Sequence, residues 1–278
     1  MKSNISFIYL AASIFLKKIF LRISGLPNVL YKYGELANMN IIVHSPGKVG
    51  SSSVYHSFIK AFPLNTNILH NHYLSDIWLK EILPKTNFFK RDINLGNKTR
   101  RKLAKSNKKN YYIVLVRDPV ARDLSNVIQN YNYLELDINN NNAKNMIKEI
   151  NEKGHDFISN WFETEFMDYF GCEIYQCSFS KTLGYGIHSL DENNKVLIMK
   201  CENLESNFKK AIQDFLGFDI ELIRTNETSS KLEANFYNDL KNVYYIDNNL
   251  AYKTYSNKVI EYFYSDDEIA KFKRRWCK

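Results

Sequence analysis

No apolar run near the N-terminus of this chain is long enough to cross a bilayer uninterrupted. Ile5–Leu16 is cut by Lys17-Lys18 before resuming as Ile19-Phe20-Leu21, and a spanning helix needs about 20 apolar residues. A secretory cleavage site is wanting too, because Ser24-Gly25-Leu26-Pro27 is a poor one. Residues 1–38 are therefore expected to form a separate apolar, amphipathic segment. Either residues 5–23 lie on anionic lipid with lysines reaching the headgroups, or a helix docks on the domain; an uncleaved anchor is the third reading. Cysteine is scarce: Cys172, Cys177, Cys201 and Cys277 form no CxxC pair and no zinc-type Cys/His spacing. That argues against a metal site and a disulfide framework, and implies reduced thiols in a cytosol. Internal repeats are absent. A P-loop of the GxxxxGK[ST] type is missing as well, since Gly47-Lys48 is followed by Val49 and has no upstream glycine.

What is present is a sizeable apolar inventory and an excess of positive charge. Hydrophobic residues make up 45% and aromatics 14% of the 278 residues, which argues against disorder, and the net charge is +8. A basic protein of this kind suits anionic ligands without choosing among nucleotides, acidic glycans, nucleic acid and membrane surfaces.

The chain is organised around Asn40–Phe62, NIIVHSPGKVGSSSVYHSFIKAF. Ile41-Ile42-Val43 is a short β-branched run, as in a buried strand. Ser45-Pro46-Gly47 stops it. Ser51-Ser52-Ser53 offer N-caps, and Val54, Phe58, Ile59 and Phe62 recur at helical spacing. Strand, tight loop and helix N-terminus make an anion cradle. The first helical turn presents unpaired N–H groups and partial positive charge, Gly47 and Gly50 let backbone approach a bulky anion, and Lys48 adds a full charge. The plain alternative is an ordinary Gly/Ser-rich turn.

A second stretch repeats the pattern. In Tyr111–Asn130, YYIVLVRDPVARDLSNVIQN, the strand Tyr112–Val116 runs into Arg117-Asp118-Pro119 and then a helix. With Pro119 near the first helical position, Arg122 and Ser125 share a helix face. Arginine forks and a hydroxyl meeting there would hold a second phosphate.

PGKVGSSS resembles the 5′-phosphosulfate loop of sulfotransferases that use 3′-phosphoadenosine 5′-phosphosulfate (PAPS), and RDPVARDLS resembles their 3′-phosphate motif. Both occur in the family's order, each after a strand. Val196–Phe218, VLIMKCENLESNFKKAIQDFLGF, is similar to the family's strand, acidic turn and FLG helix. Within the family the sequence looks most like bacterial enzymes of capsular polysaccharide synthesis and uronyl-type carbohydrate sulfotransferases. The resemblance implies a sulfotransferase-like domain over residues 39–278. Its fold class would be α/β, P-loop-like, in three layers with a mostly parallel central sheet flanked by helices. It implies PAPS as co-substrate, no metal, and a carbohydrate acceptor. The nucleotide would be held by Gly47, Lys48, Val49, Gly50, Ser51, Ser52, Ser53, Arg117, Arg122 and Ser125. Lys48 would be catalytic, and the H-x-H pair His70 and His72 would carry the base, His72 matching the family's second histidine. Without the resemblance, two surface or capping histidines are the plain reading. The implied location is cytoplasmic, at the inner face of the membrane if the N-terminal segment binds lipid. Two other classes stay open. One is a P-loop-like kinase, which asks for a Mg²⁺-binding Asp after a later strand; Asp118 is a weak candidate for it. The other is a non-catalytic polyanion-binding protein.

The rest of the chain reads as scaffold. Asn67–His72 is expected as a second strand, followed by an apolar-faced segment Tyr73–Leu83 that Pro84 ends. Lys98–Lys109, KTRRKLAKSNKK, is a solvated face or a rim that attracts an acidic polymer; with no interleaved aromatics it does not suit nucleic acid. Leu134–Asn145 reads as a polar loop, and Ala143–Lys153 and His155–Phe170 as helices, the latter with an aromatic stripe suited to a core. Glu173–Cys177 is expected as a strand, Ser178–Asn194 as a mobile loop over the site, and Val196–Cys201 as a buried strand. A helix from about Ser206 to Leu216 is expected to end at Gly217. The tail from Ser229 reads as helical and polar, with a capping box at Ser265-Asp266-Asp267-Glu268.

Overall fold

The computed structural model describes residues 34, 36–63, 65, 67–130, 143–224 and 240–277, with backbone alone at 128–130, 143–146 and 149. Almost all of the N-terminal segment 1–38, most of the Asn-rich loop 134–145 and the start of the tail at 229–239 lie outside the described residues.

Five strands form one sheet: β1 (Met39–His44), β2 (Ile68–Asn71), β3 (Lys109–Val116), β4 (Tyr185–Ser189) and β5 (Asn194–Lys200), in the order β2-β1-β3-β5-β4. All neighbours are parallel except β4, which runs antiparallel to β5 at one edge. The runs Ile41–Val43, Ile113–Val116 and Val196–Met199 are fully buried, as parallel strands covered on both faces must be. Helices α1 (Ser51–Ala61) and α2 (Lys90–Ala104) carry the chain between the first three strands. After β3 come α3 (Pro119–Asn130), α4 (Ala143–Lys153) and α5 (Phe157–Thr164), the last running on into a wider turn, Glu165–Phe170. Then follow α6 (Leu204–Leu216), α7 (Asn248–Tyr255), α8 (Lys258–Phe263) and α9 (Asp266–Trp276).

Helical segments lie on both faces. Tyr111 points at Phe215 of α6, while its neighbour Tyr112 points at Tyr169 and Phe170 beyond α5. The aromatic stripe is core where Trp161, Phe162 and Phe166 are fully buried. Gly217 ends α6 in the left-handed region, and Ser265 with Glu268 closes the capping box at α9.

Four expectations are corrected. Glu173–Cys177 is not a strand but a single tight turn, Ile174–Gln176. The expected mobile loop 178–194 instead contains β4. Its glycines mark close backbone approach rather than freedom: a Cβ on Gly186 would lie 2.0 Å from the Ser178 carbonyl oxygen, and one on Gly184 2.6 Å from Asn203 Oδ1. The tail is helical but not simply polar. Tyr255, Val259, Ile260, Phe263, Tyr264 and Trp276 are all buried, because α7–α9 close one end of the core. Finally, the three serines do not cap α1. Gly50, at φ 89°, occupies the cap position and the serines form the first turn.

The strand order decides where a ligand can sit. From β1 the chain moves to β2 on one side; from β3 it moves toward β5 on the other. The crevice between the carboxyl ends of β1 and β3 is thus the switch point, where open α/β sheets place ligands.

Candidate functional site

Both sequence motifs open onto that crevice. Ser45, fully buried, carries the β1–β3 pairing past its last regular register: Leu115 N–H donates to Ser45 Oγ over 2.9 Å. Its own N–H donates to Asn71 O on β2. The loop then turns through Lys48, the one non-glycine residue with positive φ among those described, at 73°. Such a conformation is rare for a side-chain-bearing residue and collects at functional sites.

Two arginines from the second motif hold this loop. Arg117 Nη1 donates to Lys48 O over 2.8 Å, and Arg122 Nε donates to Gly47 O over 3.0 Å. Arg122 is mostly buried, pairs with Asp123 over 2.7 Å and stacks on Phe157. The structure therefore brings Gly47, Lys48, Arg117 and Arg122 together, although some 70 residues separate the two motifs. Burial, then the positive neighbours Arg117 and Arg122, push the Lys48 amine from 10.5 down to about 8. A cluster of positive groups that depresses its own lysine is suited to an anion.

Val49 is buried in the core, so only its backbone can face a ligand. Ser51 is buried, Ser52 and Ser53 half-buried, at the first turn of α1. Ser125 stands half-buried on α3, one turn beyond Arg122.

The two histidines flank the same loop. His70, on β2, places Nε2 3.0 Å from Ser51 Oγ and stacks on Tyr55. His72 lies just past the strand, its ring 5.0 Å from that of His70. His72 Nδ1 donates to Ser45 O over 2.8 Å. A carbonyl only accepts, so the proton is fixed on Nδ1 and the lone pair on Nε2. Burial first, then neighbouring histidines, lower His70 to about 3. His72 is lowered too, chiefly by burial, with the Ser45 carbonyl opposing. Both rings are neutral at pH 7, the form a base needs.

Several supporting residues escaped the sequence reading. Glu165, fully buried, accepts hydrogen bonds from Leu74 N and Ser75 N and lies 3.0 Å from His44 Nε2. Trp161 Nε1 donates to His72 O over 2.7 Å. Together they hold the turn that carries His72. No local signal singles out Glu165, because Trp161–Phe170 carries three carboxylates among its aromatics, Glu163, Glu165 and Asp168. Asp118 is also buried, and burial raises its pKa. Its oxygens accept from Tyr255 OH at 2.8 Å and Trp276 Nε1 at 2.6 Å, while its N–H donates to Glu202. The carboxylate is thus turned into the C-terminal helices.

A family model described as "Putative capsular polysaccharide synthesis protein" matches residues 135–265, just under half of the chain. The match takes in β4, β5, α5, α6 and most of the C-terminal helices; loop 45–53, the two histidines and Arg117–Ser125 lie outside it. It agrees with the capsular-polysaccharide side of the resemblance drawn from the motifs, and its description names no reaction. Comparison with curated proteins and with solved structures finds no match. Among the described residues, no helix is long and apolar enough to cross a membrane.

Proposed function

We propose that this protein is a P-loop-like sulfotransferase that moves the sulfuryl group of PAPS to a hydroxyl of a carbohydrate acceptor, part of a surface or capsular polysaccharide or its precursor. The observation that carries the reading is the bridge between the two motifs, Arg117 to Lys48 O and Arg122 to Gly47 O, at the switch point of the sheet. In this reading the amides of Ser51 and Ser52 and the hydroxyls of Ser51, Ser52 and Ser53 receive the 5′-phosphosulfate, while the Ser53 N–H is kept by Gly50 O. Arg117 and Ser125 hold the 3′-phosphate. Arg122, through Gly47 O, keeps the loop in shape.

Transfer is in line. The bond from sulfur to the bridging oxygen breaks as the bond from sulfur to the acceptor oxygen forms, through a loose transition state like that of phosphoryl transfer. Charge grows on the bridging oxygen, where Lys48 stabilises it. The acceptor proton passes to His72 Nε2, the nitrogen that the Ser45 contact leaves with its lone pair.

The test is calorimetry of adenosine 3′,5′-bisphosphate against ADP and ATP without Mg²⁺. Preference for the bisphosphate, lost in Arg117→Ala, supports the reading; preference for ATP, or no nucleotide binding, overturns it. The kinase alternative asks Asp118 to face a metal, and that carboxylate is engaged by Tyr255 and Trp276 instead.

A further inference from the structure

The basic run 98–109 has no part in the site above. It ends α2 and opens β3, at the amino-terminal edge of the sheet. At about 3.3 Å per residue, Lys109 lies about 23 Å along β3 from Val116 at the strand's carboxyl end. A cavity of about 380 Å³ opens beside the basic run, lined among others by Arg100, Asn110, Tyr169, Phe170, Asp191 and Asn194.

We propose that this cavity is a second binding site, for an acidic saccharide. Its size falls in the range of small-ligand sites. The half-buried rings of Tyr169 and Phe170 offer apolar faces for the C–H side of a sugar ring. The amides are preset for hydroxyls: Asn40 Nδ2 donates to Asn110 Oδ1, and Asn110 Nδ2 to Asn194 Oδ1, each over 2.8 Å. This row across three strands holds each amide rigid, and each keeps further donor or acceptor capacity. Arg100 bonds Asp76 through Nη1; its fork has five donors and can grip a carboxylate. In the same basic run, Lys98, Arg101, Lys105 and Lys109 are exposed. Burial, then Lys108 and Lys98, depress Lys102. The opposing charges are Asp76, which pairs with both Arg100 and Lys80, Asp191, whose oxygens accept from Asn193 and Asn194 of the same turn, and exposed Glu192. Positive charge prevails, so the ligand combines sugar hydroxyls with an anionic group. Tyr169, Phe170, Asp191 and Asn194 also lie in the stretch that matches the capsular polysaccharide family. The inference does not depend on sulfuryl transfer; if that reading holds, this site tethers the polymer whose other sugars reach the loop.

The experiment titrates the full chain with galacturonic acid oligosaccharides and with their methyl esters, which keep the sugar and lose the charge. Saturable binding of the acid is expected, with the ester and Arg100→Gln each weaker by about tenfold or more. Leu190→Trp, which fills the cavity, should abolish binding, while Lys105→Gln, at the exposed end of α2 and outside the cavity lining, should stay within about twofold. Bisphosphate binding should be unchanged in all three variants, which separates this site from the loop. Because Arg100 also pairs with Asp76, Leu190→Trp decides if Arg100→Gln unfolds. Equal binding of acid and ester, no binding, or equal loss in Lys105→Gln overturns the proposal. So does displacement of the protein onto phosphatidylglycerol vesicles at the expense of the saccharide, which would make this edge a membrane face.

Discussion

Lys48 combines a strained backbone with a depressed amine, and both properties are testable. Its folded value of about 8 lies below the ordinary 10.5, so the charged form is disfavoured in the folded chain. The sign follows: between these values the unfolded chain binds more protons, and this group's contribution to stability rises with pH. A bound anion reverses the effect by raising the pKa. Bisphosphate affinity should therefore fall as pH rises through about 8, with proton uptake on binding, seen by calorimetry in two buffers of different ionisation enthalpy. Lys48→Met should flatten the profile; an already flat profile in the parent would remove Lys48 from the anion site. Lys48→Ala should lower turnover about 10²- to 10³-fold, as loss of a preorganised transition-state donor does. The neighbouring glycines should separate fold from function. A Cβ on Gly50 would lie 2.9 Å from Leu204 at φ +89°, whereas one on Gly47 meets only Arg122 Nη2 at 3.9 Å. Gly50→Ala should cost about 1–2 kcal/mol in denaturant unfolding from backbone strain alone. Gly47→Ala should fold as stably as the parent yet bind the bisphosphate more weakly.

At the scale of elements, the turn after β2 depends on α5 and the segment that continues it. Glu165 satisfies the buried N–H groups of Leu74 and Ser75, and Trp161 holds His72 O. Glu165→Ala leaves those donors unpaired and should destabilise by roughly 3 kcal/mol, at about 1–3 kcal/mol per group. Thermal unfolding would show it, and single-turnover rates should fall more than bisphosphate affinity as His72 loses its position. His72→Ala should lower transfer by about 10²–10⁴ with nucleotide binding retained, the range for a general base. His70→Ala should act less, since its Nε2 is engaged with Ser51. Equal losses in the two variants would contradict the assignment of the base to His72.

Across the whole molecule, the C-terminal helices reach back to the sheet end that bears Arg117. Trp276 and Tyr255 converge on Asp118, and Tyr264 on Glu202. Lys200, fully buried at the end of β5, pairs with Glu268 on α9 over 2.7 Å. Trp276→Phe removes one donor from a buried carboxylate and should cost about 1–3 kcal/mol. Bisphosphate affinity should fall with it, through Asp118, which is adjacent to Arg117. Unchanged affinity in a destabilised variant would show that this end of the sheet holds its shape without the tail.

The pieces legible in the sequence were those written in neighbouring residues. Ile41–Val43 and Tyr112–Val116 are strands because unbroken apolar β-branched and aromatic runs bury both faces. Pro119 begins a helix, Gly217 ends one, and Ser265 with Glu268 caps another, because caps are set by residues three or four apart. The candidate anion loop and its arginines were legible for the same reason. What tertiary structure alone decided lies in pairs far apart in the chain. Trp276 and Asp118 are separated by 158 residues, Glu165 and Leu74 by 91. No local periodicity marks such partners, since a buried polar group is satisfied by whatever the packing places beside it. β4 was misread because Gly184 and Gly186 signal a loop locally, while their lack of a side chain serves contacts with Asn203 and Ser178 that only the folded chain creates.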